Sequence, residues 1–327
     1  MQKRFVYLRE DRPGNDWLAR FVAGRAEAEA WYRGSGRGVP PTTAECAAQL
    51  RRHMPELLGE YERVCDLVGD DELAHQILSQ YRPQPLTHGC TQAVWLAQGG
   101  PALIRNYDYP LDVVSEHFES TCWFGREVIC KAQRPWGGCL DGINAVGLVA
   151  SLTSGGDPAQ GPGFAIILVL RYVLETCDNV PQAVAALCRI PVALPQNVTV
   201  LDKTGAYATV YLNPDRAPEV SQARVCANHQ DWRRSAAVSA GVARSMARQQ
   251  EATRTLERAG ASLAELVEAF LTEPIYSRRA VSPTVYSAVY RPAELSVDYL
   301  WPGNIVTQRI GWFRPGQYVH EYGMLTT

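Results

Sequence analysis

The chain has 327 residues, of which 46% are hydrophobic and 20% are charged, and its formal net charge is −2. This composition is ordinary for a globular protein and suffices for one large domain or two smaller ones. The near-neutral balance gives no electrostatic case for binding nucleic acid or an anionic membrane surface.

The first part of the chain has a mostly helical pattern. One strand is predicted over residues 4–10, and amphipathic helices are predicted over 17–33, 44–68 and 72–81. Because each of these helices has an apolar face, it needs a partner surface, and the rest of the chain is the obvious one. We therefore expect a helical leader, residues 1–89, that packs on residues 90–327.

The pattern changes after Cys90, where short apolar runs alternate with turn signals. The predicted strands and hairpins lie at residues 90–109, 145–156, 197–212, 223–229 and 284–303. Two strongly apolar helices are predicted at 161–177 and 179–190, and a polar helical region at 232–271. Strand pairs with Gly-containing turns, alternating with apolar helices, indicate two layers of antiparallel sheet covered by helices. The predicted fold class is therefore α+β.

The cysteines and the N-terminal segment indicate the compartment. The nine cysteines are scattered, odd in number and never spaced C-x-x-C, which favours reduced thiols over a disulfide framework. The N-terminal segment becomes charged within its first ten residues and has no apolar core, so no secretory signal is visible. The longest apolar run, residues 164–170, is too short to span a bilayer. We therefore expect a cytoplasmic protein.

Cys90 is the first candidate for chemistry, because it follows Gly89 at the start of a predicted strand. Arg105 and Asp108 lie on the second strand of the same predicted hairpin, so their side chains can face Cys90. A guanidinium close to a thiol favours the thiolate, which is the nucleophilic form. The alternative is a buried strand cysteine that packs as a small apolar group.

A second hypothesis is a papain-like hydrolase that uses Cys90, His229 and Asn228, whose order along the chain is compatible with that class. However, the context C-G-[SA]-C-[WY] is missing, and such a cysteine needs a helix N-terminus rather than a strand. His88, which precedes Gly89, either assists chemistry at the Gly89 carbonyl or is a loop residue.

Five segments, in this order along the chain, carry a resemblance to a known family. They are "HGCTQAVW", "RNYDYP", "WGGCLDGINAVGLVASLTSGG", "NVTVLDKTG" and "CANHQ". The chain resembles the acyl-coenzyme A:6-aminopenicillanic acid acyltransferase family of autoproteolytic N-terminal-nucleophile hydrolases. The choloylglycine hydrolases, which comprise bile salt hydrolases and penicillin V acylases, are more distant relatives. The resemblance covers most of the chain and implies a four-layer αββα sandwich.

The resemblance also implies that the protein cuts its own Gly89–Cys90 bond. Residues 1–89 would then form the small chain, and residues 90–327 the catalytic chain with Cys90 at its N-terminus. The Cys90 thiol would attack the Gly89 carbonyl, an N→S shift would give a thioester, and water would release the two chains. The new α-amino group, with an intrinsic pKa of about 7.7–8.0, would serve as general base for its own thiol.

Further residues match functional positions of the family. Arg105 and Asp108 match the Arg and Asp beside the nucleophile, which implies that Arg105 favours the thiolate and Asp108 holds the α-amino group. Asn228 matches the asparagine whose amide N–H stabilises the oxyanion, and Asn144 matches a second asparagine that lines the site. The chain departs from the family before residue 284, where a catalytic Arg has no clear match and Arg279 is nearby but shifted.

The implied activity is that of a self-processing cysteine amidohydrolase or acyltransferase, which acts on a small N-acyl compound through a thioester acyl-enzyme. No cofactor is expected, although acyl-coenzyme A would suit the role of co-substrate. No metal is expected, because His53 and His75 lie on separate predicted helices without a matching ligand set.

The expected partners are the substrate and the retained leader, residues 1–89. A homo-oligomer is compatible with the sequence, whereas nucleic acid and membrane are not expected partners. The alternative function is that of an unprocessed homologue that acts only as a binding protein.

Overall fold

The computed structural model describes residues 1–33, 40–84, 89–133, 136–156, 158–230 and 239–326. Within these ranges the strands form a nine-stranded sheet and a six-stranded sheet.

The larger sheet is almost entirely antiparallel. Its strands are β1 (Gln2–Arg9), β4 (His117–Thr121), β5 (Val128–Gln133), β6 (Gly138–Asn144), β7 (Leu148–Ser154), β8 (Gln196–Asp202), β9 (Tyr207–Asn213), β10 (Arg216–Ser221) and β15 (Gly316–Glu321). Their order is β10-β9-β8-β7-β6-β5-β4-β1-β15. Only β1 and β4 pair in parallel.

The smaller sheet is antiparallel throughout. Its strands are β2 (Gly89–Trp95), β3 (Ala102–Asp108), β11 (Val225–Cys226), β12 (Thr284–Arg291), β13 (Ser296–Trp301) and β14 (Asn304–Arg309). Their order is β11-β2-β3-β12-β13-β14. The predicted hairpin after Cys90 is confirmed as β2 and β3, and it lies in the interior of this sheet.

The described residues form nine α-helices. They are α1 (Asn15–Ala23), α2 (Arg25–Arg33), α3 (Thr43–His53), α4 (Leu58–Val68), α5 (Glu72–Ser79), α6 (Ile166–Thr176), α7 (Val180–Arg189), α8 (Ala240–Glu257) and α9 (Leu263–Phe270). Helices α6 and α7 pack on the larger sheet, and α8 and α9 pack on the smaller one. The layers are therefore helix, sheet, sheet and helix, which confirms the predicted αββα sandwich. In the described part of the chain, no helix combines the length and the apolar content needed to cross a membrane.

The central strands of the smaller sheet, β2, β3 and β12, are buried on both faces. Along β2, Val94 belongs to the main core between the sheets, whereas Ala93 and Trp95 join a second apolar cluster. Leu266 and Phe270 of α9 belong to that second cluster. Because side chains alternate along a strand, Cys90 shares its face with Val94 and points between the two sheets.

The leader contributes a strand to the larger sheet. Strand β1 pairs with β4 on one side and with β15 on the other, so the predicted N-terminal strand is present. Phe5 and Tyr7 on β1 are buried in the main core. Residues 1–89 are therefore part of the sandwich through β1.

Two helices that the sequence predicted as continuous are interrupted. Gly24 separates α1 from α2. Met54 ends α3, and a single 3₁₀ turn, Pro55–Leu57, precedes α4. A proline has no backbone N–H to donate to the preceding turn, so α3 cannot continue through Pro55.

Candidate active site

The register of the β2–β3 hairpin brings Cys90 and Arg105 together. Cys90 is paired with Tyr107, and Arg105 lies two residues away on the same face of β3. Arg105 Nη2 donates to Cys90 Sγ at 3.3 Å, so the two side chains face each other. The guanidinium therefore lies where it can stabilise a thiolate.

Cys90 is fully buried in the uncut chain. Burial raises the pKa of its thiol to about 11, although the positive charges of Arg105 and Arg248 act in the opposite direction. The carboxylate of Asp108 adds to the rise. In this state the protonated thiol predominates at neutral pH.

Arg105 is held by groups of the facing sheet. Its Nη1 donates to Asp141 Oδ2 at 2.5 Å and to Leu140 O at 2.9 Å, both on β6. The hydroxyls of Tyr286 and Tyr290 donate to the same Asp141 carboxylate. Burial disfavours the charged form of Arg105, but the surrounding negative charge keeps its pKa above the usual value. Asp141 thus fixes the guanidinium beside the thiol, since an uncompensated buried charge would be strongly destabilising.

Asp108 lies against the predicted cleavage site. It is paired with Gly89, and a Cβ at residue 89 would come within 2.8 Å of Asp108 Cβ. Asp108 Oδ1 accepts a hydrogen bond from Thr284 Oγ1 at 2.7 Å. Burial raises the pKa of Asp108, while Arg248 and the Thr284 hydrogen bond lower it. The missing side chain of Gly89 therefore makes room for the carboxylate.

Asn228 contacts the backbone of the nucleophile. Its Oδ1 accepts from Cys90 N at 2.6 Å and from Arg248 Nη2 at 2.7 Å. Its Nδ2 donates to Ser154 O at 3.5 Å. The family resemblance implied an oxyanion role for the Asn228 amide N–H, but in the uncut chain the carbonyl oxygen of this side chain faces Cys90.

Arg248 on α8 is a site residue that the sequence analysis missed. Its Nε donates to Thr91 Oγ1 at 2.9 Å and lies 3.9 Å from Asp108 Oδ2. Its Nη2 lies 3.4 Å from Cys90 O, in addition to its contact with Asn228. The available signal was a pair of arginines, Arg244 and Arg248, four residues apart on a predicted helix, where like charges repel unless an anionic partner is near.

Asn144 does not join this site, which corrects the prediction. Its Nδ2 donates to Leu174 O and Cys177 O, each at 2.9 Å, at the end of α6. Its Oδ1 accepts from Val146 N at 3.2 Å and Leu148 N at 2.9 Å in the β6–β7 turn. Both polar atoms of the amide are hydrogen-bonded, and together they connect the β6–β7 turn to α6. This contact lies on the face of the larger sheet that is remote from Cys90.

The papain-like hypothesis is wrong. His229 Nδ1 is hydrogen-bonded to Ser245 Oγ on α8 at 2.7 Å, and burial lowers the pKa of His229. Cys90 lies on a strand rather than at a helix N-terminus. His88, the other histidine considered, lies outside the described residues.

A cavity of about 660 Å³ opens beside the Gly89–Cys90 bond. The lining residues include Gly89, Asp108, Asn228, Arg248, Arg244 and Arg279. Arg279, the residue that the sequence analysis noted as shifted, is thus part of the cavity wall. A cavity of this size accommodates a small organic compound.

The four-layer sandwich is the fold of the N-terminal-nucleophile hydrolases. Residues 95–305 match the model of the family described as acyl-coenzyme A:6-aminopenicillanic acid acyl-transferase. The chain belongs to that family, as the sequence resemblance predicted. The matched range begins after Cys90, so the role of Cys90 depends on the geometry described above.

Solved structures that resemble this chain include a cysteine-to-alanine mutant of conjugated bile acid hydrolase from Clostridium perfringens. It has 11% sequence identity and a TM-score of 0.51, and the alignment covers 73% of this chain and 99% of that one. An N-acylethanolamine-hydrolyzing acid amidase orthologue from Caenorhabditis elegans has 17% identity and a TM-score of 0.47, over 71% and 100% of the two chains. Penicillin V acylase from Agrobacterium tumefaciens has 14% identity and a TM-score of 0.43, over 67% and 84%. At 11% identity, the likeness to the bile acid hydrolase shows the fold alone. No curated protein matches the chain in sequence.

Proposed function

We propose that this protein is a self-processing cysteine amidohydrolase or acyltransferase whose nucleophile is Cys90. The supporting observation is the setting of that residue: Sγ lies 3.3 Å from Arg105 Nη2, and the backbone nitrogen lies 2.6 Å from Asn228 Oδ1. Cleavage of the Gly89–Cys90 bond would turn this nitrogen into an α-amino group beside its own thiol. One residue would then supply both the nucleophile and a base with an intrinsic pKa of about 7.7–8.0.

The proposed cleavage is an N→S acyl shift followed by hydrolysis. Cys90 Sγ bonds to the carbonyl carbon of Gly89, the C–N bond breaks, and the released nitrogen takes up a proton. Water then attacks the thioester, which leaves a carboxylate on Gly89 and returns the thiol to Cys90. Asn228 accepts a hydrogen bond from this nitrogen and Asp108 is paired with Gly89, so both would hold the new amino group in place.

The proposed catalytic cycle repeats the same chemistry on an N-acyl compound. The thiolate attacks the amide carbonyl, the tetrahedral intermediate collapses, and the amine leaves with a proton from the α-ammonium group. The acyl-enzyme is resolved by water in hydrolysis or by a second amine in transfer. The family description names acyl-coenzyme A, which in this proposal would load the same thiol as an alternative acyl donor.

The residues around Cys90 would have different roles in this reaction. Arg105 would favour the thiolate, and Asp141 would hold Arg105 in place. Arg248 would act as a positioning residue, because it bonds the Asn228 oxygen that also accepts from the nucleophile.

A second candidate function is that of an unprocessed binding protein. The observation in its favour is the burial of Cys90, which raises the pKa of the thiol to about 11 in the uncut chain. A chain that never cuts itself would keep this unreactive thiol, and its cavity would only bind a ligand without converting it.

The test is the formation of an acyl-enzyme. Wild type and Cys90→Ala are incubated with N-hexanoylaniline, released aniline is quantified, and the mass of the peptide that begins at Cys90 is measured after acid quenching. We expect aniline release and a hexanoyl adduct on Cys90 in the wild type alone. Aniline release by Cys90→Ala at the wild-type rate would overturn the proposal.

A further inference from the structure

The wall of the cavity carries an excess of arginines. Arg244, Arg278 and Arg279 line it together with Arg248. They come from two elements, α8 and the segment that precedes β12, and converge on one space. Among the described residues, the acidic members of the lining are Asp108 and Glu273.

The outer arginines lack neutralising partners within the described ranges. Arg248 lies near Asp108 and bonds Asn228, but no described carboxylate forms an ion pair with Arg244, Arg278 or Arg279. The pKa of Arg244 is lowered chiefly by partial desolvation and further by the positive charges of Arg279 and Arg248. An unpaired cluster of like charges facing a cavity favours an incoming anion.

The helix sets the distance between this cluster and the reacting bond. Arg244 and Arg248 are one turn apart on the same face of α8, which corresponds to about 6 Å along the axis. Arg248 reaches the Cys90 carbonyl and Asn228 at the inner end of the cavity. Arg244 is exposed, whereas Arg248 is half-buried, so Arg244 lies about one turn farther out. There it is close enough to Arg279 for the two charges to interact, and Arg278 lines the same cavity.

We propose that Arg244, Arg278 and Arg279 form an anion-binding subsite, and that the N-acyl compound carries a carboxylate, sulfonate or phosphate about one helical turn from its reacting carbonyl. That the anion belongs to an N-acyl substrate rests on the proposed function, but binding of an anion at this subsite does not depend on catalysis. The anion belongs either to the acyl group or to the amine, and these two sources are distinguishable.

The experiment uses three compounds of similar shape. N-Hexanoylaniline is neutral, adipic acid monoanilide carries a carboxylate on the acyl side, and 4-(hexanoylamino)benzoate carries one on the amine side. Binding is measured by calorimetry on full-length Cys90→Ala protein, and turnover is measured on the wild type.

We expect at least one acid to bind the Cys90→Ala protein about 10-fold more tightly than the neutral anilide, with a matching preference in kcat/KM. Adding Arg244→Gln and Arg279→Gln should remove most of that preference and leave affinity for the neutral compound nearly unchanged. Arg254→Gln, an exposed arginine on the same helix that is paired with Glu251, is the matched control. Glu273→Gln should increase the preference, because it removes a carboxylate from the lining.

The proposed subsite would be overturned if all three compounds bound equally or if neither acid bound. It would also be overturned if the preference for the acid survived the double substitution. Arginine-dependent binding of an acid without turnover of any compound would instead count against the proposed function and leave the subsite in place. High salt should reduce the preference for the acid, since it screens charges near the surface.

Discussion

The backbone nitrogen of Cys90 donates to Asn228 Oδ1 at 2.6 Å, and Arg248 Nη2 donates to the same oxygen at 2.7 Å. Asn228 therefore holds the nitrogen that cleavage would set free. Its amide N–H is directed at Ser154 O in the uncut chain. The acceptor role and the predicted oxyanion role of Asn228 thus use different atoms and can be separated by substitution.

We predict that Asn228→Ala lowers kcat by about 10²–10³, the range for losing one oxyanion donor. KM should change much less, because ground-state binding is largely kept. Asn228→Asp should be at least as damaging, since it keeps an acceptor for Cys90 N but removes the N–H donor and adds negative charge. The measurement is steady-state kinetics with thermal unfolding alongside. An Asn228→Asp enzyme with wild-type kcat would show that only the acceptor oxygen matters.

Gly89→Ala should slow self-cleavage by about tenfold or more. The added Cβ would lie 2.8 Å from Asp108 Cβ and 3.1 Å from Asp108 Oδ2, so the carboxylate must move away from the bond. Overpacking of this kind costs about 1–3 kcal/mol, and about 1.4 kcal/mol corresponds to tenfold in rate. The uncut fraction is followed on denaturing gels over time. Gly316→Ala is the control, because no atom lies within 4 Å of its added Cβ; equal cleavage of both variants would contradict the close packing.

Self-cleavage should accelerate as pH rises. Burial raises the pKa of Cys90 to about 11 in the uncut chain, so below that pH the thiolate fraction grows about tenfold per pH unit. The rate is measured between pH 6 and 9 on chains newly made by cell-free translation. Cys90→Ser, whose hydroxyl does not titrate in this range, should show a flatter profile. A pH-independent rate for the wild type would argue against attack by the thiolate.

The leader should remain bound after cleavage. Strand β1 is hydrogen-bonded between β4 and β15, and Phe5 on β1 has no exposed surface. Removing residues 1–89 would break two strand pairings and expose part of the core. Gel filtration without denaturant should therefore give one species that contains both fragments, whereas separate elution would contradict the prediction.

Local patterns were sufficient to predict the part of the site that lies on one hairpin. Alternation along β2 and β3, with the turn at Gly99, places Arg105 beside Cys90 without any long-range information. The same reasoning predicted the β8–β9 hairpin, whose turn contains Gly205.

The other features of the fold and the site depend on long-range packing, which local sequence patterns do not specify. The position of β1 between β4 and β15 joins segments far apart in the chain, and no local pattern specifies such a pairing. Arg248 reaches the site only because α8 packs over β2. Asn144 was misplaced because an asparagine that closes a strand turn has the same local sequence context as one that lines a site.

We propose that Cys90 cuts the bond that precedes it, and the mass of the purified protein tests this most directly. For the wild type we predict two polypeptides, residues 1–89 and 90–327, with Cys90 at the N-terminus of the larger one. Cys90→Ala, which loses one small side chain, should fold and give a single uncut chain. Wild-type protein that stays full-length yet hydrolyses N-acyl compounds, or Cys90→Ala protein that is cut at the same bond, would contradict the claim.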